Sequence, residues 1–242
     1  MNLSPLEFAR TRLGFEPDET QARVLEANSH RGILCCSRQW GKSTVTAVLA
    51  VHRAFTHPKS LVLVSTPGLR QSGEFVAKVA EFMTALGLKP RGDGRNARSL
   101  LFPNGSRVVG LPGTEATVRG FSKVSLLLID EATRVPDRLY KALRPMLAHG
   151  NGDLWLMSTP FGQRGFFYDK WVNGGERWER FEARATDCDR ISAEFLEEER
   201  EELGDLWFRQ EYLCEFHSTT NAIFTRALIE WAITEEFGPM KL

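Results

Sequence analysis

The 242-residue sequence lacks the long apolar run that a membrane-spanning helix needs. No stretch approaches the roughly 20 consecutive apolar residues that cross a bilayer. The N-terminal segment, residues 1–15, is interrupted by charge every few positions, so it also lacks the apolar core of a signal peptide. These absences predict a soluble protein with no membrane partner.

Cysteine is scarce, and its spacing excludes the common zinc and redox motifs. The four cysteines form no CxxC pair, and two of them, Cys35 and Cys36, are adjacent at the end of an apolar run. We therefore expect a reducing compartment, no zinc site, and thiols that pack as small apolar residues.

The chain has no excess charge of either sign, because 31 lysine and arginine residues balance 31 aspartate and glutamate residues. No global positive field therefore draws the protein to nucleic acid, and any DNA contact must come from a local basic patch. The length leaves room for one α/β domain with an appended subdomain, but not for two motor domains in tandem.

Apolar runs alternate with helical segments through most of the chain, which predicts a mostly parallel sheet with helices on both faces. Predicted strands lie at 32–36, 61–64, 126–129 and 154–157, and predicted helices lie at 42–57, 69–86, 136–148 and 166–172. Between residues 99 and 111, two short apolar segments flank a turn at 103–106, which predicts a β-hairpin. An acidic helical segment from Ser192 is interpreted as a solvated face without chemistry.

The first chemical motif is CSRQWGKS at residues 36–43, between a predicted strand and a predicted helix. It matches the phosphate-binding pattern GxxxxGK[ST], except that Cys36 replaces the first glycine. In this context the backbone N–H groups and the start of the helix cradle phosphates. We predict that Lys42 holds the β- and γ-phosphates of ATP, that Ser43 binds Mg²⁺, and that Thr44 adds an α-phosphate contact. A strand-to-helix turn with a chance GKS is the alternative.

The second motif is the acid pair Asp130 and Glu131, which ends the buried strand at 126–129. Ligands bind at this carboxyl edge in open α/β sheets. We predict that Asp130 supports the Mg²⁺ shell and that Glu131 orients and deprotonates the attacking water. In isolation the pair would equally suit an exposed turn, but the two motifs in order favour a nucleotide hydrolase.

Three further polar residues lie where a nucleotide would be expected. Ser158 and Thr159 end the strand at 154–157, where hydroxyls can bond the γ-phosphate or its water, although a plain strand-ending turn has the same appearance. Gln21 offers the donor and acceptor that an adenine edge needs, and a solvated helix glutamine is the alternative.

Two arginines are candidates for stabilising charge on the γ-phosphate. Arg119 stands beside Gly120 ahead of the Asp130 strand, and Arg38 lies inside the phosphate loop. Such a guanidinium contributes roughly a thousandfold to a hundred-thousandfold in rate. Surface arginines usually have no such role, but Gly120 allows close backbone approach and favours function for Arg119.

Taken together, five segments of the sequence resemble the large terminase family of tailed bacteriophages, the motors that package DNA. The segments are SRQWGKST at 37–44, VRG at 118–120, LLLIDEA at 126–132, STP at 158–160 and FRQEYLCEF at 208–216. The resemblance covers nearly the whole chain, and the arginine and glutamine inside the phosphate loop are its most specific element. It implies a P-loop NTPase of the additional-strand, catalytic-glutamate class with a small lid subdomain. The predicted division is an ATPase core at 1–180, a lid at 181–218 and a linker towards a nuclease domain at 219–242.

The resemblance also implies roles for individual residues. Arg119 would act in trans on the neighbouring subunit of a homo-oligomeric ring, while Ser158 and Thr159 would couple hydrolysis to motion. Asp130 and Ser43 would hold the metal, and Glu131, Lys42 and Arg38 would join Arg119 in catalysis. The implied ATP-binding set is Gln21, Ser37, Arg38, Gln39, Trp40, Gly41, Lys42, Ser43 and Thr44. Implied partners are double-stranded DNA, a portal protein and a small terminase subunit, in the host cell cytoplasm.

Two expectations concern nucleic acid. Large terminases carry a C-terminal nuclease, for which the chain leaves no room after Phe224, so we expect no nuclease activity and suspect a fragment. A basic cluster around the predicted hairpin suits sequence-independent phosphate binding, and a solvated loop is the alternative. The cluster comprises Lys89, Arg91, Arg95, Arg98 and Arg107.

Two other functions remain open from the sequence. A helicase-like DNA translocase shares the phosphate loop and the acid pair, but it normally needs a second motor domain. A nucleotide-binding assembly module without turnover would explain the replaced glycine at Cys36. The presence of Lys42, Ser43, Asp130 and Glu131 favours the hydrolase.

Overall fold

The computed structural model describes residues 3–113, 120–149 and 151–218. A seven-stranded sheet forms its centre. The strands are β1 (Arg31–Cys36), β2 (Leu61–Thr66), β3 (Ser99–Leu101), β4 (Arg107–Pro112), β5 (Leu126–Asp130), β6 (Asp153–Ser158) and β7 (Glu179–Ala183). Their order is β3-β4-β2-β5-β6-β1-β7. All neighbouring pairs are parallel except β3 and β4, which form the predicted hairpin. The predicted α/β fold with a mostly parallel sheet is confirmed.

Helices cover both faces of this sheet. They are α1 (Pro5–Phe8), α2 (Glu19–Glu26), α3 (Lys42–Thr56), α4 (Leu69–Ala85), α5 (Asp137–Leu143), α6 (Gly165–Asn173), α7 (Ala193–Leu203) and α8 (Asp205–Tyr212). A π-helical turn, Ala9–Leu13, extends α1 and ends at Gly14, which has a left-handed φ of 63°. None of the helices in the described ranges is both long and apolar enough to cross a membrane.

The central strands are buried on both faces because their side chains alternate between two apolar clusters. In β5, Leu126 and Leu128 point to the cluster formed with α1 to α4, and Leu127 and Ile129 point to the cluster formed with α5 and α6. Each of these four side chains is at most 2% exposed. This two-sided burial fixes the carboxyl ends of the strands rigidly, and the site is built on those ends.

The segment after β7 forms a small helical unit. Its apolar cluster consists of Ala185, Phe208 and Tyr212, while α7 buries no residue. The predicted boundary between residues 180 and 181 falls inside β7, which spans Glu179–Ala183. Phe181 and Ala183 of this edge strand point inward. The predicted linker at 219–242 lies outside the described residues.

Candidate functional site

The loop between β1 and α3 has the backbone conformation of a phosphate-binding turn. Gln39 and Gly41 adopt left-handed φ values of 61° and 103°. This position favours glycine because L side chains rarely adopt the φ of Gly41, and a Cβ atom there would also lie 2.9 Å from the side-chain nitrogen of Gln21. Cys36, in contrast, is the fully buried last residue of β1 and has no left-handed φ. A glycine is therefore not needed where the motif departs from its usual pattern.

The loop lysine faces the acid pair across the site. Lys42 Nζ lies 3.4 Å from Glu131 Oε1, and both side chains are mostly buried. Glu131 has a left-handed backbone, φ 50° and ψ 43°, directly after β5. A non-glycine residue in this region carries strain, which is typical of functional positions. The strained turn lifts Glu131 off the strand direction and towards the loop.

Asp130 is positioned by two hydrogen bonds. Ser43 Oγ donates to Asp130 Oδ2 at 2.8 Å, and the Glu131 backbone N–H donates to Asp130 Oδ1 at 2.9 Å. Burial raises the pKa of Asp130, and the neighbouring Glu131 carboxylate raises it further, while Lys42 and the hydrogen bonds oppose the shift. A buried carboxylate beside a hydroxyl provides the hard oxygen ligands that Mg²⁺ prefers, so Ser43 and Asp130 fit a magnesium site.

Ser158 and Thr159 meet the turn that carries Glu131. Ser158 Oγ lies 2.7 Å from Thr133 Oγ1 and accepts from the Thr133 backbone N–H at 3.3 Å. Thr133 Oγ1 also donates to the Thr159 carbonyl at 3.1 Å. Ser158 is fully buried, and only Thr159 reaches the cavity wall. Thr133 was not identified as a site residue from the sequence, although it stands two residues after the acid pair.

Gln21 lies at the outer side of the phosphate loop. Asp18 begins α2 and accepts from the Gln21 backbone N–H, while the Gln21 side chain accepts from the Asp18 N–H in return. Gln21 Nε2 donates to the Trp40 carbonyl at 3.1 Å. Arg190 Nη2 donates to the same carbonyl at 2.8 Å and to Asp18 Oδ2 at 2.9 Å. Sequence reasoning missed Arg190, because nothing local links it to the loop.

The phosphate loop also contacts the segment beyond β7. Arg38 Nε donates to Glu211 Oε2 at 2.5 Å, and the Arg38 backbone N–H donates to the Glu211 carbonyl at 3.1 Å. This hydrogen bond to Glu211 raises the pKa of Arg38, so its guanidinium stays charged. Ser37 donates its N–H to the Ala183 carbonyl at 2.8 Å. Glu211 belongs to the FRQEYLCEF segment, which the sequence marked as specific without assigning a contact.

A cavity of about 690 Å³ joins these elements. Of the predicted residues, those on its wall are Gln21, Arg38, Gln39, Trp40, Gly41, Lys42, Ser43, Thr44, Glu131 and Thr159. Ser37, Asp130 and Ser158 lie behind the wall. The wall also contains residues that the sequence did not indicate, namely Phe15, Glu16, Gln71, Lys78, Arg134 and Arg190. A signal existed for Arg134, because it follows the acid pair closely in the chain.

Two other predictions concern the trans-acting arginine and the basic cluster. Arg119, the predicted trans-acting arginine, lies outside the described residues. In the basic cluster, Arg91 and Arg95 are exposed and Arg98 is half-buried. Arg107 is held by Asp93, with Nη1 to Oδ2 at 3.3 Å, so its charge is partly neutralised.

The sheet order places β6 between β1, which carries the phosphate loop, and β5, which carries the acid pair. This extra strand defines the chain as a P-loop NTPase of the additional-strand, catalytic-glutamate class. Residues 33–230 match the family described as terminase large subunit, T4likevirus-type, N-terminal, and the chain belongs to this family.

Several individual proteins that the chain resembles are also large terminases. The terminase large subunit of Thermus virus P23-45 is 28% identical over 251 residues, covering 88% of this chain and 51% of that protein. The large terminase ATPase domain of Thermus phage P74-26 has a TM-score of 0.78 at 24% identity, covering 89% of this chain and 100% of that one. A large terminase from a thermophilic bacteriophage, solved in complex with ATP-gamma-S, has a TM-score of 0.66 at 12% identity, covering 89% and 52%. At these identities the two structures show the fold alone. The chain spans about half the length of the curated relatives it matches.

Proposed function

We propose that this chain binds ATP with Mg²⁺ and hydrolyses it, as the motor domain of a terminase large subunit that drives double-stranded DNA into a procapsid. The observation that carries the proposal is the opposition of Lys42 and Glu131 across the cavity, 3.4 Å apart. The nucleotide complex of the thermophilic bacteriophage protein supports ATP as the ligand. Membership of the terminase family supports packaging as the purpose.

In the proposed reaction, the N–H groups of residues 39–43 bind the phosphates while Lys42 neutralises the β- and γ-phosphate oxygens. Glu131 orients a water against the γ-phosphorus and accepts its proton. Ser43 and Asp130 would hold Mg²⁺, which supplies further positive charge to the phosphates. Because Lys42 now pairs with Glu131, a bound triphosphate competes for the lysine and leaves the carboxylate available as a base.

Two sets of contacts would transmit hydrolysis to the rest of the protein, one at the Thr133 turn and one between the phosphate loop and the lid. Thr159 reaches the cavity, and Ser158 holds the Thr133 turn that carries Glu131, so loss of the γ-phosphate would shift both. We assign the lid role to the helical unit after β7, residues 184–218, which holds the loop through Glu211. A change in the charge near Arg38 would therefore move the lid.

The remaining parts of the proposal concern assembly. Arg119 would reach the site of a neighbouring subunit in a homo-oligomeric ring, in the host cell cytoplasm, with a portal protein and a small terminase subunit as partners. Arg91, Arg95 and Arg98 would contact DNA phosphates, because two of them are exposed and, among the described residues, Arg98 forms no ion pair like that of Arg107 with Asp93.

The test of the proposed activity is ATP-dependent phosphate release by the wild-type chain and by Glu131→Gln. A lost general base slows hydrolysis by roughly a hundredfold or more, while ATP binding should persist because the phosphate loop is unchanged. Glu176→Gln, an exposed carboxylate elsewhere, is the matched control and should behave as wild type. Equal phosphate release from the wild type and Glu131→Gln would favour a nucleotide-binding assembly module and contradict the proposal.

A further inference from the structure

Arg190 belongs to the first part of the lid, in the segment that joins β7 to α7, and it reaches back to the phosphate loop. Its Nη2 donates to the Trp40 carbonyl at 2.8 Å and to Asp18 Oδ2 at 2.9 Å. Gln21 donates to the same Trp40 carbonyl and, through its backbone N–H, to the other carboxylate oxygen of Asp18. Two separate segments, α2 and the connection between β7 and α7, therefore converge on one carbonyl of the loop.

The contacts of Arg190 are separate from the Lys42–Glu131 pair. A phosphate loop presents its N–H groups to the ligand, whereas the Trp40 carbonyl points outward to Gln21 and Arg190. The groups predicted to meet the γ-phosphate and metal are Lys42 and Glu131, and neither of them contacts Arg190. Phe15 and Glu16, which shortly precede Asp18 in the chain, also line the cavity.

Arg190 retains capacity for a ligand. A guanidinium has five N–H donors, and the two on Nη2 are used by Asp18 and Trp40. Within the described ranges, the N–H groups on Nε and Nη1 donate to no protein acceptor, and the side chain is half exposed on the cavity wall. A planar guanidinium also stacks on aromatic faces. These are the properties of a group that meets a base and a ribose.

We propose that Arg190 binds the nucleoside part of ATP, through its free N–H donors or its planar face, and thereby ties the base end of the site to the lid. The inference rests on the proposed function, since it assumes that the cavity holds ATP. It differs from a purely structural clamp, in which Arg190 would only fasten the lid segment to the loop and would affect every ligand of the loop alike.

The test compares ATP with tripolyphosphate, which has the same phosphate chain but no nucleoside. Binding of each to the 242-residue chain is measured by calorimetry with Mg²⁺, for the wild type and for Arg190→Ala. One lost hydrogen bond or stacking contact weakens binding by about tenfold. We expect that loss for ATP and a change below about twofold for tripolyphosphate, because phosphate contacts do not involve Arg190.

Two further variants complete the design. Arg190→Lys keeps the charge and can still reach Asp18, but it lacks the planar fork, so it should fall between the wild type and Arg190→Ala for ATP. Arg184→Ala removes another arginine of the same segment, one that pairs with Glu182 and lies off the cavity wall, and should leave both ligands unaffected.

The outcomes distinguish a failure of the Arg190 inference from a failure of the proposed function. Equal weakening of ATP and tripolyphosphate by Arg190→Ala would mean a structural clamp and would overturn the inference, as would unchanged ATP binding. Absence of ATP binding by the wild-type chain would instead refute the proposed function itself. Circular dichroism of each variant confirms that any loss is not caused by unfolding.

Discussion

Lys42 and Glu131, which are 89 positions apart in the chain, lie with Nζ and Oε1 3.4 Å apart at the carboxyl end of the sheet. The lysine arrives from the first turn of α3, and the glutamate from a left-handed residue directly after β5. A triphosphate bound by the loop would compete with Glu131 for the lysine. The residue predicted to bind the phosphates and the residue predicted to act as the base therefore lie in one site.

The buried Asp130 gives a prediction for stability against pH. Its folded-state pKa is raised, so the folded protein holds this proton more tightly than the unfolded chain does, and the resulting stability is lost as pH rises through the raised value. Asp130→Asn removes that titration. Without Mg²⁺ and nucleotide, the difference in Tm between Asp130→Asn and the wild type should become more favourable to the variant from pH 4 to pH 7.

Asp169 serves as the control for this measurement, because its hydrogen bond to Lys170 lowers its pKa. Stability from Asp169 is present at neutral pH and lost as pH falls, so Asp169→Asn should show a small trend of opposite sign. If the advantage of Asp130→Asn shrank towards pH 7, burial would not be the dominant influence on that carboxyl.

Ser158 and Thr159 should separate in steady-state kinetics. Ser158→Ala removes a buried partner of Thr133 behind the wall, so kcat should fall while KM for ATP stays within about twofold. Thr159→Val changes the cavity wall itself and should raise KM for ATP by about 2- to 10-fold, the value of one hydrogen bond. Both variants raising KM equally would contradict this division of roles.

Arg134 is expected to contribute to the phosphate end of the site. Its guanidinium lies 4.3 Å from the centre of the Phe161 ring, on the cavity wall, within the short turn after Glu131. Arg164 packs on the same ring at 5.7 Å but does not line the cavity. Arg134→Ala should therefore lower kcat/KM by about tenfold, the effect of one charge-assisted contact. Arg164→Ala is the matched control, and equal losses from both would assign the effect to Phe161 packing.

The basic cluster makes a prediction about salt. Affinity for double-stranded DNA falls with salt at a slope of about −0.9 for each phosphate contacted. Replacing Arg95 and Arg98 together by alanine should flatten that slope by roughly 1.8, and Arg177→Ala, an exposed arginine outside the cluster, should leave it unchanged. An unaltered slope in the double variant would show that these arginines are solvated.

Local pattern predicted most of the sheet and its helices because each element was marked by its own residues. The run of apolar residues in β5 and the polar turn between β3 and β4 are visible without any tertiary contact. The edge strand β7 was missed as a strand because only Phe181 and Ala183 in it turn inward, and its charged residues resemble a loop. That omission explains why the predicted core ended inside a strand.

By itself, the sequence determined the chemical groups: a phosphate loop with Lys42 and Ser43, and an acid pair at the end of an apolar strand. Such motifs are contiguous, so their residue types and spacing suffice to predict them. Only the tertiary structure decided that Arg190 and Glu211, which follow β7 in the chain, form hydrogen bonds with the phosphate loop. Both contacts join residues more than 140 positions apart, and no local pattern encodes which residues a distant segment brings back to the sheet edge.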